Sequence, residues 1–377
     1  MKKVVYVVPI LTPYAIARFR ILAGETGIDL HVIVEKSRTD ERNGSGGCYQ
    51  EIEGCHTYLL GSKERHYQVE NQKSGYAVQE SRKYSFGLRA LVRKINPDIV
   101  IVCNSTQILF LAGPRKYKLG VVVEDTPRAE EGRRPLNRWV KRMLMGTADF
   151  YLPFNSDAVE FLRKNKLTKK QYRSSWSVEL PFFFTLNEEE RKEKRPKLDI
   201  SNRTSYVCVA ALIPRKGILQ LLDAWVSMPA DFLQDSELHL IGTGPLEDQI
   251  AKKIKANPQA HLFLRGGMTY QSVSEFMQCS DVLVLPTLED VWGLVVMEAM
   301  ACGLPVLTTP YAGARELIQE GETGYLFDVQ NPKDIREALN RMSDSDHREM
   351  GRKARRLIED YSNENVMRKT AKILESI

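Results

Sequence analysis

The sequence lacks the features of membrane-spanning, disulfide-bonded and nucleic-acid-binding proteins. Its apolar runs are all far shorter than the roughly 20 residues of a transmembrane helix, and the first one stops at Pro9, too early for a signal peptide. The six cysteines are scattered, so we expect free thiols in a reducing cytoplasm. The formal net charge of +6 is modest and no nucleic-acid-binding motif occurs, so nucleic acid is not an expected partner.

The chain does have the size and composition of a two-domain globular protein. With 377 residues, 43% of them hydrophobic, it can bury large cores without cross-links. Short apolar runs such as 3–9, 97–102 and 119–123 alternate with helical patterns, which predicts parallel sheets with helices on both faces. Ligands bind at the carboxyl ends of the strands in such sheets, so the loop 10–14 after the first run is a candidate site element.

The most informative stretch is 286–313, with the sequence PTLEDVWGLVVMEAMACGLPVLTTPYAG. Its helical part is apolar on nearly all sides except at Glu298. A carboxylate there needs partners such as ligand hydroxyl groups, unless it occupies a partly wet position as an ordinary helix former. Asp290 stands just before the helix, where it either caps the first turn or belongs to an anion-binding helix start.

The spacing Asp290-x7-Glu298, followed by the run AMACGLPV, resembles the signature of retaining family-4 glycosyltransferases with the GT-B fold. Thr287 and Trp292 stand where the family pattern has Ser and Phe, and Asp290 stands for the first of its two glutamates. The similarity is strong over about 206–339 and only topological before that. It implies an α/β fold of two Rossmann-like domains that face each other across a cleft.

The resemblance also implies roles for the residues of this stretch. Asp290 would orient the transferred sugar as a catalytic residue, and Glu298 would accept hydrogen bonds from the donor ribose. Backbone N–H groups around Trp292, Gly293 and Leu294 would contact sugar or phosphate oxygens. Catalysis would be electrostatic more than acid–base.

Two further loops of the second domain resemble donor-binding loops of the family. Lys216 matches the lysine of the family's G-R-L-x-x-x-K-G loop, but Ala211 stands at its arginine, so Arg215 is the candidate replacement at the donor diphosphate. Gly242 and Gly244 form the turn that lies near the nucleotide base in relatives. The expected substrate is a UDP- or GDP-sugar, with no cofactor and no metal, because no strand is followed by an Asp-x-Asp donor loop.

Glu124 and Asp125 follow the strand 119–123 of the first domain, where related enzymes often carry a histidine near the reacting sugar. Either carboxylate could orient or deprotonate an acceptor hydroxyl as a catalytic residue. Equally, both could cap the next helix or pair with nearby arginines.

The segment Pro135 to Met145 has a clean helical pattern. We expect its apolar stripe to face the core, as in most amphipathic helices, with the cations solvated. The alternative is a basic helix that lies in the interface of an anionic membrane. The stripe consists of Leu136, Trp139, Val140, Met143 and Leu144, and the cations include Arg138, Lys141 and Arg142.

These patterns predict an N-terminal acceptor-binding domain at 1–186, a charged linker at 187–200, a nucleotide-sugar-binding domain at 201–360 and a helix at 361–377 that crosses back. The predicted function is transfer of a hexose-type sugar to a glycan or lipid-linked acceptor in bacterial surface polysaccharide synthesis. The protein would be cytoplasmic, with peripheral association at the inner face of an anionic membrane. The alternatives are a GT-B sugar-nucleotide epimerase and a degenerate sugar-nucleotide-binding subunit that supports a partner transferase.

Overall fold

The computed structural model describes residues 1–36, 49–71, 76–126, 130 and 134–377, and gives side chains for these except 64–71 and 76–83. The chain forms two compact units. The first consists of Met1–Ser177 together with Asn363–Ile377, and the second of Val178–Ser362.

The first unit is built on a parallel sheet of seven strands in the order β3-β2-β1-β6-β7-β8-β9, with β4 and β5 as a separate antiparallel pair. Its central strands are continuous apolar runs because helices cover both faces of the sheet. The strands are β1 (Lys2–Val8), β2 (Ile28–Val34), β3 (His56–Leu59), β4 (Lys63–Asn71), β5 (Tyr76–Tyr84), β6 (Ile99–Val102), β7 (Lys118–Val123), β8 (Phe150–Pro153) and β9 (Lys170–Gln171).

Helices connect these parallel strands. Asn104 and Asn155 start two of them by accepting hydrogen bonds from the first-turn N–H groups of Gln107 and Ala158. The helices are α1 (Pro13–Gly24), α2 (Leu88–Ile95), α3 (Ser105–Leu111), α4 (Pro135–Met145) and α5 (Ser156–Lys164).

The second unit has six parallel strands in the order β12-β11-β10-β13-β14-β15. Its strands are β10 (Thr204–Val209), β11 (Ser236–Ile241), β12 (Leu262–Gly266), β13 (Val282–Leu285), β14 (Val306–Thr308) and β15 (Gly324–Leu326). Its helices are α6 (Glu188–Lys197), α7 (Ile218–Trp225), α8 (Ala230–Asp235), α9 (Glu247–Ala256), α10 (Tyr270–Cys279), α11 (Leu294–Ala301), α12 (Pro332–Ser343) and α13 (His347–Glu359).

The last helix, α14 (Asn363–Ser376), belongs to the first unit, where it packs against α1. Its apolar side enters the same core as β1 and β2, with Val366, Met367, Ala371 and Leu374 buried. The first unit therefore takes part of its core from the far end of the sequence.

The charged run 187–200, which the sequence favours as a linker, is instead mostly helix α6 within the second unit. Asn187 caps its first turn, and both Arg191 and Arg195 form ion pairs with Asp281, at 2.6 and 2.9 Å. These two arginines, which the sequence places in a solvated linker, thus hold α6 against the residue that precedes β13.

Each sheet reverses its strand order once, between β1 and β6 in the first unit and between β10 and β13 in the second. The carboxyl ends of these neighbouring strands form the crevice in which such folds bind ligands. Five cysteines are free thiols as expected, while Cys48 lies outside the described residues. No helix in the described part of the chain is long and apolar enough to cross a bilayer.

Candidate functional site

Two loops meet at the strand-order reversal of the second unit, one after β10 and one after β13. The N–H of Leu288 donates to the carbonyl of Arg215 at 2.9 Å, and the Arg215 guanidinium donates to the carbonyl of Glu289 at 2.9 Å. Gly217 has a φ of 64°, and a Cβ there would lie 2.0 Å from the carbonyl oxygen of Pro286. Only glycine fits this approach, so the two loops hold each other in place.

Lys216 and Asp290 form an ion pair between these loops. The backbone of Asp290 is fixed on both sides, because its N–H donates to Tyr311 at 3.0 Å and its carbonyl accepts from Gly313 at 3.1 Å. The helix α11 begins beyond Gly293, without a side-chain cap. Asp290 is therefore not an N-cap, contrary to that interpretation of the sequence. Its carboxylate forms an ion pair with Lys216 instead.

The start of α11 has no side-chain cap. Trp292 is buried, and its indole N–H donates to the sulfur of Met297 at 2.9 Å, so this ring belongs to the core. Gly293 has a φ of 89°, a conformation that favours glycine. The first N–H groups of a helix, which start here at Leu294, have no intrahelical acceptor and can bind an anion.

Glu298 lies one turn further along α11 and is half-buried. The hydroxyl of Tyr270 donates to its Oε1 at 3.3 Å, and among the described residues it has no cationic partner. Burial raises the pKa of Glu298 to about 7, against which the tyrosine hydrogen bond acts only weakly. Tyr270 is itself held by stacking on Phe182, with ring centroids 4.7 Å apart. Among the described residues, the carboxylate thus has one long hydrogen bond from a neutral hydroxyl and no cation to balance its charge.

The turn after β11 brings this strand very close to the end of β10. A Cβ on Gly242 would lie 2.0 Å from the carbonyl oxygen of Ala210, and one on Gly244 would lie 2.5 Å from that of Leu212. Both glycines also have positive φ, of 146° and 157°. The close approach leaves Ala211 exposed at this edge, where the family pattern has an arginine.

The first unit has a cavity of about 300 Å³ at its own strand-order reversal. Its walls come from the carboxyl ends of β1, β6, β7 and β8, from the loop 10–14 and from α1 and α14. The sequence predicts this loop as a site element, and the cavity lies against it. The groups with hydrogen-bonding or charged side chains include Tyr6, Thr12, Tyr14, Arg18, Asn104, Glu124, Ser174 and Trp176.

The two carboxylates after β7 have different surroundings. Asp125 accepts from Lys141, whose ammonium also donates to Glu130 at 2.6 Å, so Asp125 is ion-paired. Glu124 lines the cavity, and its pKa is raised to about 7 by burial and by the charge of Asp125, while Arg18 opposes the shift. Glu124 is therefore a carboxyl group that can exchange a proton near neutral pH.

Aromatic rings surround the cation of this cavity. The Arg18 guanidinium carbon lies 5.5 Å from the ring centroid of Phe154 and 5.7 Å from that of Trp176. Nothing in the sequence points to Trp176, which follows no periodic pattern. Arg18 and Trp176 meet only through the tertiary structure, where they form one wall with Tyr14.

Helix α4 has the predicted bounds, but of its five apolar stripe residues only Leu144 packs against the core. Leu136, Trp139 and Met143 are 68%, 59% and 57% exposed, and Val140 is also exposed. The buried side of the helix carries Lys141, because this ammonium reaches the carboxylates of the first unit. The expectation that the stripe packs inward and Lys141 is solvated is therefore wrong.

Residues 190–361, just under half of the chain, match the family model described as Glycosyl transferases group 1. The chain is 28% identical over 171 residues to an uncharacterized glycosyltransferase of Methanocaldococcus jannaschii, covering 45% of this chain and 47% of that protein. It is 33% identical over 137 residues to the N-acetyl-alpha-D-glucosaminyl L-malate synthase of Bacillus anthracis, covering 35% of each. The chain spans less than half the length of these relatives.

Solved structures resemble the chain over its whole length. Sucrose-phosphate synthase from Thermosynechococcus elongatus matches with a TM-score of 0.76 and 15% identity, covering 100% of this chain and 99% of that one. Anabaena HepE in complex with UDP matches with a TM-score of 0.75 and 15% identity, covering 100% of both. At this identity the likeness concerns the fold, which is the predicted GT-B fold with two Rossmann-like units.

Proposed function

We propose that this chain, whose residues 190–361 form a Glycosyl transferases group 1 domain, is a retaining, metal-independent hexosyltransferase. It would move a sugar from a UDP- or GDP-sugar to a glycan or lipid-linked acceptor. The observation that carries the proposal is the assembly of three features in the second unit. They are the ion pair of Lys216 with Asp290, the start of α11 without a side-chain cap, and the Glu298 carboxylate, which has no cationic partner among the described residues.

The donor would bind at this edge of the second unit. Ribose hydroxyl groups would donate to Glu298, whose carboxylate they would stabilise in its buried position. The N–H groups at the start of α11 and the ammonium of Lys216 would donate hydrogen bonds to the diphosphate oxygens and balance their negative charge. The binding of UDP by Anabaena HepE, a protein of the same fold, supports a nucleotide ligand here.

In the transfer step, the bond between the sugar C1 and the phosphate oxygen breaks, and its electron pair goes to the diphosphate. Lys216 would stabilise that charge as it develops, which lowers the barrier without a metal ion. Because Lys216 would turn to the diphosphate, the Asp290 carboxylate would leave its ion pair with this lysine and would orient the sugar. The acceptor hydroxyl would form the new bond to C1 on the face that the diphosphate leaves, and its proton would pass to a phosphate oxygen.

The acceptor would be recognised by the first unit. Its cavity combines aromatic rings with Arg18 and Glu124, groups that suit the apolar faces and hydroxyl groups of a sugar. Glu124, with its pKa near 7, would hydrogen-bond an acceptor hydroxyl.

The exposed face of α4 favours a lipid-linked acceptor at an anionic membrane. Its apolar side chains are bordered by the exposed cations Arg134, Arg138 and Arg142. Such a helix can lie in the headgroup region with its apolar face in the acyl boundary. Peripheral binding at the inner face of the cell membrane would bring the protein to lipid-linked glycans of surface polysaccharide synthesis.

The direct test is to incubate the purified protein with a panel of nucleotide sugars, with and without EDTA, and to measure released nucleotide. We expect slow release of UDP or GDP from one sugar, unaffected by EDTA, and no release by the Lys216→Met variant. Candidate lipid-linked acceptors should accelerate release and yield a glycosylated lipid with the anomeric configuration of the donor.

Three other outcomes would contradict the proposal. Loss of activity in EDTA would exclude the metal-independent mechanism. A sugar nucleotide returned with altered configuration would indicate an epimerase. Tight donor binding without release, even with acceptors, would indicate a degenerate binding subunit. This alternative rests on Ala211, which stands where the family loop has an arginine.

A further inference from the structure

Strands β2 and β3 of the first unit place two histidines and a carboxylate together. His31 and His56 are register partners on these adjacent parallel strands. Asp29 precedes His31 by two positions and Tyr58 follows His56 by two, so all four side chains lie on one face of the sheet. None of the four lines the cavity that contains Glu124.

The distances within this group suit a small cation. Asp29 Oδ1 lies 3.3 Å from His31 Nε2 and 3.7 Å from His56 Nε2, and one ligand atom from each of the three residues lies within 4.8 Å of the others. In a tetrahedral zinc site, with bonds of about 2.0–2.1 Å, neighbouring ligand atoms are roughly 3.3 Å apart. The two imidazole rings are stacked, with centroids 4.5 Å apart, so a shared ion requires the exposed His56 ring to turn.

The surroundings of His31 also favour a cation bound at its Nε2. The residue is only 6% exposed, and within the described part of the chain its buried Nε2 has no well-aligned hydrogen bond, although Asp29 Oδ1 lies 3.3 Å away. Its other nitrogen, Nδ1, is 3.0 Å from the hydroxyl of Tyr58. A metal-bound histidine normally has such a partner on its second nitrogen, which fixes the ring and leaves the first nitrogen free for the ion.

No lysine ammonium in the described part of the chain takes the place of the cation. Among the described residues, the ion pairs of Asp29 are those with His31 and His56. Lys3, the register partner of Asp29 on β1, donates its ammonium to the carbonyl of Ile95 at 3.3 Å. The ammonium nearest in register is thus held by another acceptor.

We propose that Asp29, His31 and His56 form a binding site for one divalent transition-metal ion, with Zn²⁺ as the expected occupant and water completing its coordination. Two imidazoles and one carboxylate are ligands that zinc accepts. The exposed side of His56 gives the ion a path from solvent. Because the ligands come from two neighbouring strands, the ion would join β3 to β2 and stabilise the edge of the sheet, without a part in catalysis.

The test uses untagged, metal-free protein titrated with ZnCl₂ by calorimetry, together with thermal unfolding. We expect one equivalent to bind, a rise of several °C in the unfolding temperature of the first unit, and reversal by EDTA. The exposed-ligand variant His56→Asn should weaken binding at least tenfold while it still folds. His261→Asn is the control, because this half-buried histidine of the second unit has a φ of 46°, which asparagine tolerates.

Cobalt provides a spectroscopic check. Co²⁺ bound to this site should give visible absorption bands that disappear in His56→Asn and remain in His261→Asn. Equal zinc binding by the protein and His56→Asn, or no binding at 100-fold excess of Zn²⁺, would overturn the proposal. Nucleotide release from donor sugars should be the same with and without zinc, so failure of this site and failure of the transferase proposal can be told apart.

Discussion

The substitution Glu298→Gln should make the protein more stable and its donor binding weaker. The carboxylate is half-buried and has a neutral tyrosine hydroxyl as its described hydrogen-bond donor. Burial raises its pKa from 4.5 to about 7, which corresponds to about 3 kcal/mol of lost stability when the group is charged. Because the site is partly open to water, we expect glutamine to recover about 1–3 kcal/mol of this at pH 8.

The effect depends on pH in a defined direction. Between pH 4.5 and 7 the folded protein holds more protons on Glu298 than the unfolded chain does, so the contribution of this group to stability falls as pH rises. The advantage of Glu298→Gln should therefore be full above pH 7 and small near pH 4.5. At about 2–4 °C per kcal/mol for a unit of this size, the unfolding temperature should rise by roughly 2–12 °C at pH 8.

Donor binding should change in the opposite sense. Hydrogen bonds to a charged acceptor contribute about 1.5–3 kcal/mol, so the affinity for UDP or GDP should fall roughly 10- to 100-fold. Thermal unfolding of the ligand-free protein at pH 5 and pH 8, with calorimetric titration of nucleotide, measures both effects. Glu337→Gln, on an exposed face of α12, is the matched control and should change neither. An unchanged affinity, or lower stability at pH 8, would refute the reasoning.

Three further outcomes test other parts of the protein. Replacement of Arg138 and Arg142 by glutamine should reduce binding to phosphatidylglycerol vesicles about 30-fold, since each cation contributes roughly 1 kcal/mol at an anionic surface. With Glu124→Gln, acceptor kcat/KM should lose an inflection near pH 7, above which the wild-type carboxylate is charged. Gly242→Ala should lower the free energy of unfolding by about 1–3 kcal/mol or more in urea, whereas Gly24→Ala, with open space around its Cβ, should be nearly neutral.

Each of these has a result that would contradict it. Replacement of Arg93 and Lys94, exposed cations on α2, is the matched control. An equal loss of vesicle binding from both pairs would show that the effect reflects total charge and not the face of α4. No binding by the unmodified protein would exclude the membrane interpretation. A Glu124→Gln profile that keeps its inflection would assign it to another group. A neutral Gly242→Ala would mean that the β10–β11 turn can open.

The sequence predicts the second unit better than the first because its signals there are local. The spacing of Asp290 and Glu298 fixes a loop followed by one helix, and the structure brings Lys216 to the first of these carboxylates. Their catalytic and binding roles stay predictions. The local pattern could not show that Asp290 pairs with the lysine rather than the helix start, since the two loops lie far apart in the sequence.

The errors arise where long-range partners decide the outcome. A helical stripe shows which residues of α4 share a face, but the direction of that face depends on Lys141, which reaches Asp125 and Glu130. Likewise, in the charged run that forms α6, Arg191 pairs with Asp281, about 90 positions later in the sequence. Periodicity and composition contain no information about such partners.

The return of α14 to the first unit sets an order for folding during synthesis. Residues 178–362 form the second unit as one continuous segment, which can fold as soon as it has left the ribosome. The first unit is not one continuous segment. The core that α1, β1 and β2 share is complete only when it includes Val366, Met367 and Leu374. Until residues 363–377 emerge, the apolar face that α14 covers stays exposed, so the first unit completes its core only after the second unit has been synthesised.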